Sequence, residues 1–169
     1  IKKNLPEINK STYAMALALN ALVLYDKKDE AVYNLLAKLN DLKCEDPEKG
    51  GSYWKMEHKT MYYSSGESAS VELTSLIALA MIRSGEFAAT ANKALSYIVK
   101  SRAGDGSWGS TQATIMALKA LLTAMAGTEQ EGIVNVNVRL DGETRSVAIT
   151  PDQSDVLQLF DFGEVAKGK

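Results

Sequence analysis

The feature that most restricts how this chain can fold is the stretch 103–122, AGDGSWGSTQATIMALKALL. A glycine-rich turn (Gly104, Gly106, Gly109) brackets one aromatic, Trp108, and opens into Ser110-Thr111-Gln112 and an Ala/Leu-rich run. Glycine lets the backbone turn sharply and pack closely there. Ser110 or Thr111 is placed to accept from the unpaired N–H groups of the first helical turn. The next ten residues, 113–122, carry one charge, Lys119. A helix of that composition is expected to be buried on nearly all sides, and so to belong to a larger helical assembly.

Two more segments read the same way, and two read differently. Residues 11–25 (STYAMALALNALVLY) form an apolar helix with a Ser/Thr start, broken only by Asn20. Residues 68–83 (SASVELTSLIALAMIR) form another, with Glu72 near its N-terminus, where a negative charge is favoured. Between them, residues 27–41 place Ala31, Leu35, Leu36 and Leu39 at helical spacing with Lys and Asp opposite, an amphipathic pattern with Asp26 as the expected cap. Residues 86–101 form a second amphipathic helix after the Ser84-Gly85 turn, and 111–126 the last apolar one, ended by Gly127. Residues 1–10 are polar and are expected either to fray or to continue an element that lies upstream. The connection 42–65, with Pro47, Gly50 and Gly51, is long enough to be functional or tied down by packing, and has room for short strands.

The joints before the third and fifth helices resemble each other, Gly50-Gly51-Ser52-Tyr53-Trp54 and Gly104-Asp105-Gly106-Ser107-Trp108. Wholly apolar helices alternating with amphipathic ones, across repeated joints, predict stacked helical hairpins with one helix inner and one outer. Such stacks close into a toroid or wind into a solenoid. Five helices make part of a ring, so an open apolar end is expected. After residue 127 the period changes: Val134, Val136, Val138 and Leu140 alternate with Asn135, Asn137 and Arg139, Asp141-Gly142 is a hairpin turn, and 145–150 returns until Pro151. A third strand is expected at 156–162. The reading is therefore a mainly α chain, 1–127 an incomplete α/α toroid and 128–169 a partial antiparallel β segment. Three strands need a second layer, so the tail should pack on the helices, pair with another copy, or be poorly ordered.

A net charge of −2 in 169 residues, with both signs interspersed, removes the phosphate attraction on which nucleic-acid binders depend. No cofactor and no metal is expected. Cys44 has no Cys or His at ligand spacing and reads as a loop thiol. His58 reads as a surface residue rather than a general base, and Glu45, Asp46, Glu48 and Glu67 as solvated charges. Trp54 and Trp108 suit packing between hairpins better than sugar stacking. Gln112 and Thr114 suit capping or inter-helix hydrogen bonds as well as ligand contact. No glycine loop leads into a phosphate-gripping lysine.

The run 106–114 (GSWGSTQAT), followed by Met116-Ala117-Leu118-Lys119-Ala120-Leu121, resembles the last inner helix of the thioester-containing domain of alpha-2-macroglobulins and complement components. Val71-Glu72-Leu73-Thr74-Ser75 resembles the preceding inner helix, and the β tail is similar to the CUB-like segment that follows. The resemblance implies an α/α toroid within a large protease inhibitor or opsonin, secreted, periplasmic or envelope-anchored, in which an internal Cys–Gln thioester captures an attacking protease. The family's Gly-Cys-Gly-Glu-Gln motif is absent here, since the one cysteine lies in Lys43-Cys44-Glu45-Asp46. The thioester would then lie upstream of Ile1, and this chain would be a non-catalytic fragment with no catalytic residue of its own. In the family the thioester precedes an inner helix, and inner helices of a toroid start at one end. Tyr13, Glu72 and Gln112 are therefore expected to rim the thioester end. Implied partners are proteases, the remaining toroid helices and neighbouring β domains of a parent protein. The open apolar end also predicts self-association. Two other readings stand beside this one: a terpene cyclase or prenyltransferase on the same toroid, prompted by a QW-like 95–108 region, and a plain helical interaction module.

Overall fold

The computed structural model describes residues 1–56, 58–61, 63–126, 134–140, 142–150, 160 and 162. The chain divides into two compact units, Ile1–Ala126 and Gly127–Lys169.

The first unit is helical. After a 3-10 turn at Lys2–Asn4 come α1 (Leu5–Ile8), α2 (Thr12–Tyr25), α3 (Glu30–Asp41), α4 (Gly66–Ser84), α5 (Ala88–Lys100) and α6 (Thr111–Ala126). A two-stranded antiparallel hairpin, β1 (Cys44–Asp46) and β2 (Gly51–Tyr53), sits in the 42–65 connection. The N-terminal residues do not fray as expected. Pro6 is tolerated in the first turn of α1, and Leu5 and Ile8 pack on the core, which rewards winding that short segment.

Three boundaries differ from the sequence reading for local reasons. The cap of α3 is Asp29, whose side chain accepts from Ala31 N at 2.9 Å; Asp26 instead accepts from Lys28 N at 2.9 Å, closing a turn that delays the helix. Helix α4 starts at Gly66, before residue 68, and its N-cap Ser65 makes no side-chain cap bond. Helix α5 starts at Ala88 because Phe87 stands at φ 55°, outside helical space. Ser11 caps α2 by accepting from Ala14 N, and Gly85 ends α4 at φ 81°.

The inner helices are α2, α4 and α6. Helix α4 contacts α2, α5 and α6, while α3 packs on α2. Helices α2 and α4 run parallel: Tyr13 meets Glu72 near their starts, and Asn20 Nδ2 donates to Leu76 O farther along both. All thirteen residues from Ala69 to Met81 are buried. Helix α6 corrects the expectation of all-round burial. Its buried residues are Ala113, Met116, Ala117 and Ala120, whereas Ile115, Leu118, Leu122 and Met125 are 51%, 46%, 62% and 67% exposed. Leu17, Leu24 and Tyr25 of α2 are also exposed. The row of inner helices thus ends in apolar faces on both sides. This is the alternating inner and outer arrangement of an α/α toroid.

In the second unit β3 (Val134–Leu140) pairs antiparallel with β4 (Glu143–Ile149), from Val134 opposite Ile149 to Leu140 opposite Glu143. The return strand begins two residues before the expected 145. Gly142 takes φ +88° in the turn, a conformation only glycine adopts freely, and Asp141 lies outside the described residues. Val136, Val138, Val147 and Ile149 are half-buried, with exposed residues between them. The expected strand at 156–162 lies outside the described residues except for Phe160 and Phe162, which have no regular structure.

Candidate functional site

The repeated joints position everything else. Trp54 is 1% exposed, with its ring N–H donating to Leu39 O at 2.6 Å and its backbone N–H to Thr74 Oγ1 at 3.1 Å. Trp108 repeats the pattern: 5% exposed, ring N–H to Ile98 O at 2.6 Å, backbone N–H to Thr114 Oγ1 at 3.1 Å. Each tryptophan therefore pins the end of an outer helix (α3 or α5) to the next inner one, at the middle of α4 for Trp54 and in the first turns of α6 for Trp108. Both rings are spent on packing and have no face left for a sugar. Thr114 holds Trp108, and Ser110 caps α6 by accepting from Ala113 N at 3.1 Å.

The turn between α5 and α6 needs glycine at two of its three positions. Gly106 and Gly109 have φ +87° and +79°, while Gly104 has open space around it and ordinary backbone. Asp105 Oδ1 accepts from the backbone N–H and hydroxyl of Ser107, and these bonds hold its carboxyl below the usual carboxylate range. The Arg102 guanidinium lies over the Trp108 ring at 5.9 Å. In the other joint the critical glycine is Gly51. A Cβ there would fall 2.6 Å from Lys93 O and 2.8 Å from Tyr97 N, because β2 lies directly on α5.

Between the first turn of α2 and the second turn of α4 a polar cluster forms inside the apolar row. Glu72, 1% exposed, accepts from Tyr13 Oη at 2.8 Å and from Thr60 Oγ1 at 3.1 Å. None of the ion pairs among the described residues includes it. The sequence reading places Glu72 near the N-terminus of its helix, where a negative charge is favoured, and that position needs correction. With α4 starting at Gly66, Glu72 lies beyond the first turn, where the dipole has faded, and the two hydroxyls hold it. Ser64 Oγ meets Ser110 Oγ at 3.1 Å, which ties the loop ahead of α4 to the cap of α6. Gln112 is half-buried in the first turn of α6. Sequence reasoning named Tyr13 and Glu72 together with Gln112, as residues at the starts of inner helices. It missed Thr60 and Ser64, which sit in a loop with no periodicity to mark them.

The remaining polar candidates scatter. Cys44 is half-buried in β1, and His58 is exposed. Asp46 Oδ1 accepts from Glu48 N and Lys49 N in the hairpin turn, and Ser52 Oγ donates to Glu45 at 2.9 Å. Lys49 pairs with Glu67 and lies over the Tyr97 ring at 4.9 Å. Burial lowers the Lys49 pKa, but Glu67, Tyr97 and Asp46 outweigh it and raise it on balance; burial raises that of Tyr97. Among the described residues no group of three His, Cys, Asp or Glu side chains is placed to hold a metal ion, and no helix is long and apolar enough to cross a membrane.

A chain of stacked inner and outer hairpins, pinned by paired tryptophans, defines a helical toroid, and the family model of the A-macroglobulin TED domain matches residues 2–123. The chain belongs to that family. It is 28% identical over 131 residues to "Complement C3" of Lethenteron camtschaticum, a stretch that spans 78% of this chain and 8% of that protein's length.

Proposed function

We propose that this chain is a non-catalytic wall of a thioester-bearing toroid in an alpha-2-macroglobulin-like protein, and that the protein as a whole inhibits endopeptidases by trapping them. The observation that carries the reading is the pair of apolar faces, on α2 and on α6, at the two ends of the inner row. Further inner and outer helices of the same ring are the natural cover for both, and the β hairpin continues into neighbouring β domains. The starts of α2 and α4, with Tyr13 and Glu72 joined, and the start of α6, with Gln112, form the rim of the thioester end. A thioester is an acyl donor that water destroys, so a dry surround of packed helices is what it needs. Within this reading the protein works outside the cytoplasm, and the isolated chain self-associates through the apolar faces that the ring would cover.

The test uses the longer polypeptide. Incubated with an endopeptidase, it should form an adduct that survives boiling in detergent, and prior treatment with methylamine should abolish that adduct. The 169-residue chain alone should form none. An adduct on this chain alone, or a longer polypeptide that never binds protease covalently, overturns the proposal.

A further inference from the structure

The turn between α1 and α2 reads Asn9-Lys10-Ser11. An asparagine with serine or threonine two places on, and no proline between, is the acceptor sequence for N-linked glycosylation. No other asparagine in the chain has that neighbour. A match of three residues also arises by chance, so the geometry has to carry the assignment.

The turn lies at the surface. Lys10 N donates to Glu7 O at 3.1 Å and Ser11 N to Ile8 O at 3.2 Å, and Lys10 and Ser11 are exposed. Asn9 is half-buried, and the two ends of its amide differ. Oδ1 is buried and has no hydrogen-bond partner. Nδ2 is not among the buried atoms, and no hydrogen bond among the described residues holds it. The atom that would carry a sugar is thus the one that no contact of the fold employs. Asn9 also lines a groove of about 260 Å³ beside α1 and α3, where Leu5 and Leu35 are apolar and Glu30, Asn34 and Lys38 polar. A sugar ring has room there, and its hydroxyls are donors beside an acceptor that lacks one. The Ser11 hydroxyl is already committed in the folded chain, accepting from Ala14 N as the cap of α2. A transferase that reads this hydroxyl must therefore act before α2 winds.

We propose that Asn9 is an N-glycosylation site, modified before the chain folds, and that the first sugar rests in the groove beside α1 and α3. Asn9 Nδ2 bonds to the anomeric carbon of an oligosaccharide carried on a polyprenyl pyrophosphate. The bond from that carbon to the pyrophosphate oxygen breaks, the lipid pyrophosphate leaves, and the amide gives up one proton. The lipid donor and its transferase belong to the secretory route, so the proposal rests on the reading that the protein works outside the cytoplasm.

The test routes the 169-residue chain through a eukaryotic secretory pathway behind a cleavable signal peptide, with lysate and medium read together. The chain should run one step higher on a denaturing gel. Peptide N-glycosidase should remove the step and leave aspartate at position 9, identified by mass spectrometry. Asn9→Gln and Ser11→Ala should each lose the step, and Ser11→Thr, which keeps the hydroxyl, should retain it. The modified chain should melt no lower than the same chain after enzymatic removal of the sugar. An unmodified Asn9, or a modified chain that melts lower than the stripped one, overturns the proposal. Neither result touches the protease adduct described above, and loss of that adduct would leave the gel step in place.

Discussion

Helices α4 and α6 are written in nearly the same alphabet and live in different surroundings. Both follow a tryptophan joint, both carry a threonine that accepts from that tryptophan's backbone N–H, and both are rich in Ala, Leu, Ile and Met. Helix α4 is flanked by α2, α5 and α6 and buries every side chain from Ala69 to Met81. Helix α6 leaves Ile115, Leu118, Leu122 and Met125 half exposed or more. The difference lies in neighbours, not in composition. Among the described residues α4 lies between two inner helices, α2 and α6, whereas α6 meets one, α4.

The sharpest way to break this comparison is to put a charge on each helix. Ile77→Asp in α4 should abolish the cooperative melt, because an unpaired buried charge costs about 3–5 kcal/mol, a large share of a domain's stability. Ile115→Asp in α6 should melt close to wild type. Equal loss in both would mean that α6 is covered as well as α4.

Truncation should give a smaller contrast. Leu73→Ala, fully buried, should cost about 2–5 kcal/mol in urea unfolding, and Leu118→Ala under about 1 kcal/mol. Smaller again is the test of the joints. Thr74→Val and Thr114→Val each remove the acceptor of a tryptophan N–H, costing about 1–3 kcal/mol. The loss should be larger at Thr74, where the bond is fully buried rather than partly so.

The caps should differ in the opposite direction. Ser110→Ala should cost about 1 kcal/mol by thermal melting, whereas Ser65→Ala should be nearly silent, since Ser65 makes no side-chain cap bond. The smallest effect is electrostatic. The Asp105 pKa is held low in the turn before α6, so its stabilisation is present above the usual carboxylate range and is lost as pH falls through its own depressed value. The melting difference between Asp105→Ala and wild type should therefore be seen at neutral pH and shrink in acid; a difference constant with pH would mean that ionisation of Asp105 does not matter.

Much of this fold was legible from residue types. The two kinds of helix, the Trp54 and Trp108 joints, the exact span of α6 and the start and end of β3 follow from periodicity, glycine placement and capping chemistry, all of which act within a few residues. What misled was local as well. Asp26 and Asp29 are equally good caps on paper, and the choice went to Asp29 once Asp26 turned onto Lys28. Residues 1–10 read as polar, yet Leu5 and Ile8 find a core that only the folded chain provides.

The candidate site divides along the same line. Sequence alone determined that apolar rods alternate with half-wetted ones and that tryptophans mark the joints, because hydrophobic period and turn chemistry are written in neighbouring residues. Only the tertiary structure decided that Glu72 takes Tyr13 from 59 residues away and Thr60 from 12, that a Cβ at position 51 would strike α5, and which face of α6 stays bare. Those are questions of what packs against what, and an amino-acid pattern that calls for a neighbour does not say whether the neighbour is there.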